Sequence, residues 1–200
     1  VQPTRAVVTN AGQAHLAGVG SVEDVAREKG ALFAALGSDG IAVINADDPY
    51  ADLWRECARG RRCLTFGLHQ EADVSADYQT DRTGSTIHLR TAQGDMHMRL
   101  SLLGEHNVSN ALAATATAMA GGADLARVKR GLEKLRAVSG RLELKAGSNG
   151  AVIIDDTYNA NPASLAAGIA VLKEYPGETV LVLGDMAELG DAAPEIHRRA

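Results

Sequence analysis

The run Ala151-Val152-Ile153-Ile154, followed by Asp155-Asp156-Thr157-Tyr158-Asn159-Ala160-Asn161-Pro162, constrains the fold more than any other stretch of this chain. A short β-branched apolar segment bounded by polar residues reads as a strand. Two carboxylates, a tyrosine and two asparagines end it, and Pro162 pre-sets the backbone for the first turn of a helix. Strand, polar loop and helix together make half of a βαβ unit. In open parallel sheets ligands collect at the carboxyl ends of strands, so this loop is expected to face one.

The same grammar recurs along the chain. Arg5 to Thr9 predicts a buried strand ending at Asn10, and Ser21 with Asp24 predicts a capping box opening a helix that stops near Gly37. Ile41 to Ile44 is the next expected strand. Pro49 suits the first turn of a helix to about Arg59, and Cys63 to Phe66 a further strand. From Ala72 to Leu103 the texture changes. Alternating segments at Thr86 to Arg90 and Met96 to Leu100, joined across Gln93-Gly94, predict an antiparallel hairpin on which His88 and His97 are exposed cross-strand residues. Asn107 to Ala120 is apolar nearly all round and predicts a buried helix. A second helix from Asp124 carries the stripe Leu125, Val128, Leu132 and Leu135. Strands from Leu142 and Val152, a helix from Pro162 to about Glu174, a strand at Val180 to Leu183 and a last helix complete an α/β pattern. Ser139-Gly140 breaks the periodicity, which divides the chain into residues 1–138 and 139–200.

Composition narrows the function classes. Acidic residues exceed basic ones by five and aromatics are 4% of the chain, which argues against a nucleic-acid surface. The cluster Arg127, Lys129, Arg130, Lys134 and Arg136 reads as a solvated helix face. Cys57 and Cys63, with five residues between them, form no metal-ligand or disulfide pattern and read as reduced cytosolic thiols. No apolar stretch approaches the roughly 18 residues of a membrane span, and no signal peptide is visible. There is also no G-x-x-x-x-G-K-[ST] loop to cradle nucleotide phosphates. The chain is therefore expected to be an interior piece of a larger protein.

Three constellations could carry chemistry. In the first, Asn10 to Leu16 follows a strand and precedes the helix from Ser21. At about 3.6 residues per turn, Val22, Val25, Ala26, Phe33 and Leu36 share one face, with Lys29 at its centre. Burying a lysine lowers its pKa and frees the amine for reaction; a lysine that snorkels or pairs with an acid fits the same spacing. His15 reads as a satisfied core histidine before it reads as a ligand. In the second, Asn107 and Asn110 are three apart on one helix face, beside His106. Their amides match the donor–acceptor edge of adenine, or Asn107 is an N-cap. In the third, Arg141 sits at the domain boundary with the loop from Asp155 to Asn161. Its guanidinium could grip phosphate in bidentate fashion or join a salt bridge with Glu143 or Asp156. Asp47-Asp48-Pro49 reads as a helix start, Gly18 to Ser21 is a faint anion-binding turn, and Leu183 to Gly190 is another strand-end loop.

Together these segments resemble the Mur ligase family. TNAGQAHLAGVGS, VINADDP, LLGEHNVSNALAA, SGRLE, DDTYNANPAS and VLGDMAELG run through essentially the whole chain in the family's order. The last two are the most specific and mark the branch that adds D-alanyl-D-alanine to the peptidoglycan precursor. The resemblance implies the later part of a central ATPase-like domain followed by the start of a Rossmann-like C-terminal domain. It implies ATP and Mg2+ as cofactors, UDP-MurNAc-tripeptide and D-alanyl-D-alanine as partners, a cytoplasmic monomer, and no turnover by this chain alone. Position by position, His15 resembles the magnesium ligand, and Lys29 the lysine that is carbamylated in sister ligases and so could help hold the metal. Asn107 and Asn110, with His106 adjacent, match adenine-contacting positions, and Arg141 a phosphate-contacting arginine. Asp156, Tyr158, Asn159 and Asn161 match the loop that closes over nucleotide and dipeptide; Lys29, Arg141 and Asp156 are the catalytic candidates. Ala17 and Ala31 depart from the acidic residues frequent at their positions. Rival readings are another Mur-type ligase adding diaminopimelate or lysine, a folylpolyglutamate synthetase, or a non-catalytic adenine-nucleotide module.

Overall fold

The computed structural model describes residues 3–12, 20–186 and 193–199. Its elements, in chain order, are β1 (Arg5–Val8), α1 (Val22–Ala34), β2 (Ile41–Asn45), α2 (Ala51–Cys57), β3 (Arg62–Phe66), β4 (Val74–Asp81), β5 (Gly84–Thr91) and β6 (Gly94–Leu100). Then come α3 (Glu105–Ala120), α4 (Leu125–Leu132), β7 (Glu143–Ala146), β8 (Val152–Asp155), α5 (Pro162–Leu172) and α6 (Ala193–Arg199). Strands β1 to β6 form one sheet in sequence order, parallel through β4 and antiparallel from β4 to β6.

Strand β2 shows how the sheet is covered. All five of its residues are buried, because successive side chains face opposite layers. Ile41 and Val43 join Phe66, Val74, Ile87, Leu89 and the α3 residues Val108 and Leu112. Ala42 and Ile44 join Phe33 of α1 and Trp54 of α2 on the other face. Helix α1 begins as expected, with Ser21 and Asp24 closing a capping box. A smaller cluster of Leu103, Leu142 and Val171 fastens the second unit to the first. Tyr175 donates its hydroxyl to Arg82 O (2.7 Å), and Thr80 Oγ1 donates to Glu174 Oε1 (3.2 Å), extending that junction.

Several boundaries differ from expectation, each for a local reason. Strand β4 lies outside the expected hairpin: Asp77, Gln79 and Asp81 are its outward residues in a period-two pattern, but only Val74 and Ala76 are buried, so its inward face is weakly apolar. Pro49 lies outside α2, since the Asp48 carboxylate captures Tyr50 N and delays the first turn to Ala51. Helix α3 starts at Glu105 from Gly104 (φ 85°), so Asn107 is inside the helix and not its N-cap. Helix α4 ends at Leu132, leaving Leu135 42% exposed. His88 and His97 are paired across β5 and β6, with rings stacked at 4.2 Å.

The second unit departs most. Its two strands form an antiparallel hairpin, with Glu143 opposite Asp155. Val180 to Leu183 forms no strand: among the described residues no neighbouring strand offers it a ladder, and Val182 is 91% exposed. Helix α5 does open at Pro162, capped by Asn161.

Candidate functional site

Polar side chains at the carboxyl ends of β1, β2 and β3 tie the three strand exits together. Asn45, buried, donates Nδ2 to Thr9 O (2.8 Å) and accepts Asp47 N at Oδ1 (2.9 Å). The Asp47 carboxylate accepts the main-chain N–H groups of Leu68 (2.6 Å), His69 (3.0 Å) and Gln70 (2.7 Å). Asp48 accepts Ala11 N at Oδ2 and Tyr50 N at Oδ1, both 2.9 Å. Sequence reasoning treated Asp47-Asp48 as a helix start and missed this brace. Two acids one residue past a fully buried strand were the available signal, because carboxylates are the side chains suited to gathering loop amides.

Lys29 is not on the apolar face. Val25, Ala26 and Phe33 are buried, whereas Lys29 is exposed and its ammonium donates to Asn10 O (2.9 Å). The long stem lets the charge snorkel from the edge of the stripe to the end of β1. The exit of β1 is thus held from three sides, by Asn45, Asp48 and Lys29. His15, Ala17 and most of the glycine turn before Ser21 lie outside the described residues, as does the loop after Met186.

The start of α3 carries a second network. Asn107 donates Nδ2 to Leu103 O (2.8 Å) and approaches His106 Nε2 (3.2 Å), while its Oδ1 accepts Nδ2 of Asn110 (3.3 Å). The protein around the His106 ring lowers its pKa more than the charges of Asp156 and Glu105 raise it, which favours the neutral imidazole. Glu105 is held by Tyr78 and His69. Hydrogen bonding from both keeps its carboxyl below the ordinary range, and burial followed by the Glu105 bond pushes the Tyr78 phenol up to about 12.

The third group surrounds the junction. The Arg141 guanidinium lies over the Tyr158 ring, 4.0 Å from its centroid, and among the described residues it joins neither Glu143 nor Asp156 in a salt bridge. Tyr158 N donates to Gly140 O (3.0 Å), and Leu142 N to Asp156 Oδ1 (3.2 Å). Gly140 has φ 73°, and a Cβ there would come within 3.0 Å of Tyr158 N, so the close approach requires glycine. Asp155 serves structure: its bonds with Lys145 and Thr157 hold its carboxyl at about 2. Asn161 spends its Oδ1 on Ser164 N (2.9 Å) as a cap, and Asn159 accepts Ala160 N (2.9 Å). The geometry therefore brings His106, Asn107 and Asn110 into one network and Arg141, Asp156 and Tyr158 into another, with the Asp156 charge reaching His106.

With this geometry described, comparison with known proteins is decisive. Residues 1–118 match the Mur ligase middle domain, and residues 140–200 the Mur ligase glutamate ligase domain. The chain belongs to the Mur ligase family. It is 43% identical over 198 residues to the UDP-N-acetylmuramoyl-tripeptide–D-alanyl-D-alanine ligase of Haemophilus influenzae, covering 99% of this chain and 43% of that protein. A crystal structure of MurF from Acinetobacter baumannii superposes with a TM-score of 0.93 at 36% identity, over 98% of this chain and 43% of that one. The MurF ligase of Thermotoga maritima in complex with ADP gives 0.86 at 29% identity, over 100% and 46% respectively. This Mur ligase chain thus spans less than half the length of the relatives it matches.

Proposed function

We propose that the whole protein carrying this chain joins D-alanyl-D-alanine to UDP-N-acetylmuramoyl-tripeptide with cleavage of ATP. The observation that carries the reading is the DDTYNANP loop at the end of β8, with Arg141 stacked on its tyrosine and Asp156 bonded to the adjoining main chain. Residues 1–138 form part of the central domain and 139–200 part of the C-terminal domain, joined at Gly140. Asn110, backed by Asn107, presents an amide edge suited to adenine. Arg141 is held by a ring and not neutralised by a carboxylate, so its fork is available for a phosphate. Asp156 and Tyr158 meet the nucleotide, and Asn159 and the Nδ2 of Asn161 the incoming dipeptide.

The reaction has two steps. ATP phosphorylates the tripeptide's terminal carboxylate, leaving ADP and an acyl phosphate; the dipeptide amine then attacks the acyl carbon and expels phosphate. Arg141 offsets phosphoryl charge, and closure of the two domains on each other keeps water from the acyl phosphate. Magnesium belongs to the same proposal, but among the described residues no three His, Cys, Asp or Glu side chains gather to hold a metal. The metal reading rests on His15 and a carbamylated Lys29, and carbamylation would require the Lys29 amine to release Asn10 O. On the same reading the enzyme is cytoplasmic, drawing on ATP and the UDP-linked tripeptide, and acts as a monomer. No helix among the described residues is long and apolar enough to cross a membrane. The test is phosphate release by the full-length protein given ATP, magnesium and the UDP-linked tripeptide. Release that requires D-alanyl-D-alanine supports the proposal; dipeptide-independent release, or none, overturns it.

A further inference from the structure

The hydrogen bonds at the start of α3 are directional, and their direction has a consequence for base selection. A backbone carbonyl only accepts. Leu103 O, 2.8 Å from the Asn107 amide, therefore fixes the NH2 group of Asn107 on its own side. The second hydrogen of that NH2 group points to His106 Nε2 (3.2 Å), which accepts it in the neutral tautomer protonated on Nδ1. Asn107 has then spent both donors, and its Oδ1 must face outward. There it takes one hydrogen from Asn110 Nδ2 (3.3 Å). Asn110 is exposed, and its orientation is inherited: the NH2 group lies toward Asn107, with one hydrogen and the whole of Oδ1 left to the surroundings.

We propose that Asn107 is a positioning residue that does not read the base itself but sets the polarity of Asn110, making Asn110 select adenine over 6-oxopurines. The inference rests on the nucleotide reading above. Adenine presents an amino donor beside a ring-nitrogen acceptor, which complements an amide offering Oδ1 and one N–H. A 6-oxopurine puts an oxo acceptor where the amino donor was, so it meets Oδ1 with like polarity. An asparagine with no neighbour turns its terminal amide freely between the two orientations. Leu103 O, acting through Asn107, removes that freedom. His106 assists only as the acceptor of the second Asn107 hydrogen.

The experiment measures ADP and IDP affinity of the full-length protein by calorimetry, because IDP replaces the 6-amino group by an oxo group and N1 by N1–H while keeping N7, the ribose and the diphosphate. The variants are Asn107→Ala, which keeps a good helix former in α3, and Asn107→Asp, which retains an acceptor facing Asn110. The wild type is expected to prefer ADP, by roughly tenfold or more for a bidentate contact. Asn107→Ala should bring the ADP/IDP ratio close to one, and Asn107→Asp should keep the preference while weakening both nucleotides through repulsion from Leu103 O. An Asn107→Ala protein that loses affinity for ADP and IDP equally, with the ratio intact, overturns the positioning role. A wild type that binds neither nucleotide overturns the underlying reading itself, a distinct result. Circular dichroism on each variant separates both results from loss of the fold; if Asn107→Ala is unfolded, the Asn107→Asp ratio decides, and its collapse to one overturns the proposal.

Discussion

Replacing Asp47 with alanine should destabilise the fold by about 2–4 kcal/mol. The carboxylate collects three main-chain N–H groups at 2.6–3.0 Å, from Leu68, His69 and Gln70. Hydrogen bonds to a charged acceptor contribute about 1.5–3 kcal/mol each, but three on one carboxylate are not additive. His69 and Gln70 are exposed, so their amides regain water in the variant; Leu68 is half-buried, and its amide is the one left poorly served. That asymmetry places the total well below three full bonds. Asp47→Asn should cost about as much, because its one oxygen serves the exposed His69 and Gln70 amides while its NH2 group faces Leu68 N, the amide that matters most. Urea denaturation followed by far-ultraviolet circular dichroism reads the difference, with an unchanged slope showing that the unfolded state is not altered. An Asp47→Ala protein within about 0.5 kcal/mol of the parent, the range of ordinary surface changes, would refute the brace.

Other consequences follow from single contacts. Gly104→Ala forces a side chain onto φ 85° and places a Cβ 2.7 Å from His106 Cε1 and 3.0 Å from Val171 Cγ2. It should cost about 1–2 kcal/mol in conformation alone, measurable by denaturation, and weaken ADP binding by displacing His106. Ser21→Ala removes the acceptor for Asp24 N and should cost α1 about 1 kcal/mol in the same assay. Tyr78, its phenol pushed up to about 12 by burial and by Glu105, should ionise after an ordinary tyrosine in an ultraviolet titration. Because the folded state holds that proton more tightly, its contribution is intact below pH 10 and fades as pH rises toward 12. Tyr78→Phe should abolish the late phase; a titration unchanged by that substitution would contradict the assignment.

Much of this architecture was legible because its signals are local. Ser21 with Asp24 announces a capping box and Pro162 a helix start, and both form where expected. The apolar runs of β1, β2 and β3 leave little doubt about a covered parallel sheet. What was not legible depends on partners distant in sequence. Angular spacing centres Lys29 on the apolar stripe and leaves burial and snorkelling both open; stem length and the nearby Asn10 carbonyl decide for the second. Val180 to Leu183 has the composition of a strand, but composition supplies no neighbour to pair with. Asp47 bonds to a loop 21 to 23 residues away and Asp48 to Ala11, 37 residues away, beyond a helix-start pattern's reach, so only the fold reveals them as braces. The direction of the Asn107 amide likewise depends on Leu103 O, which no residue identity encodes.

The central claim is amide-bond formation through an acyl phosphate, and one labelling experiment addresses it directly. The UDP-linked tripeptide is prepared with heavy oxygen in its terminal carboxylate and incubated with the full-length protein, ATP, magnesium and D-alanyl-D-alanine. The account predicts that one heavy oxygen per turnover appears in the released phosphate while the dipeptide is joined to the tripeptide. Phosphate released without the label would contradict it.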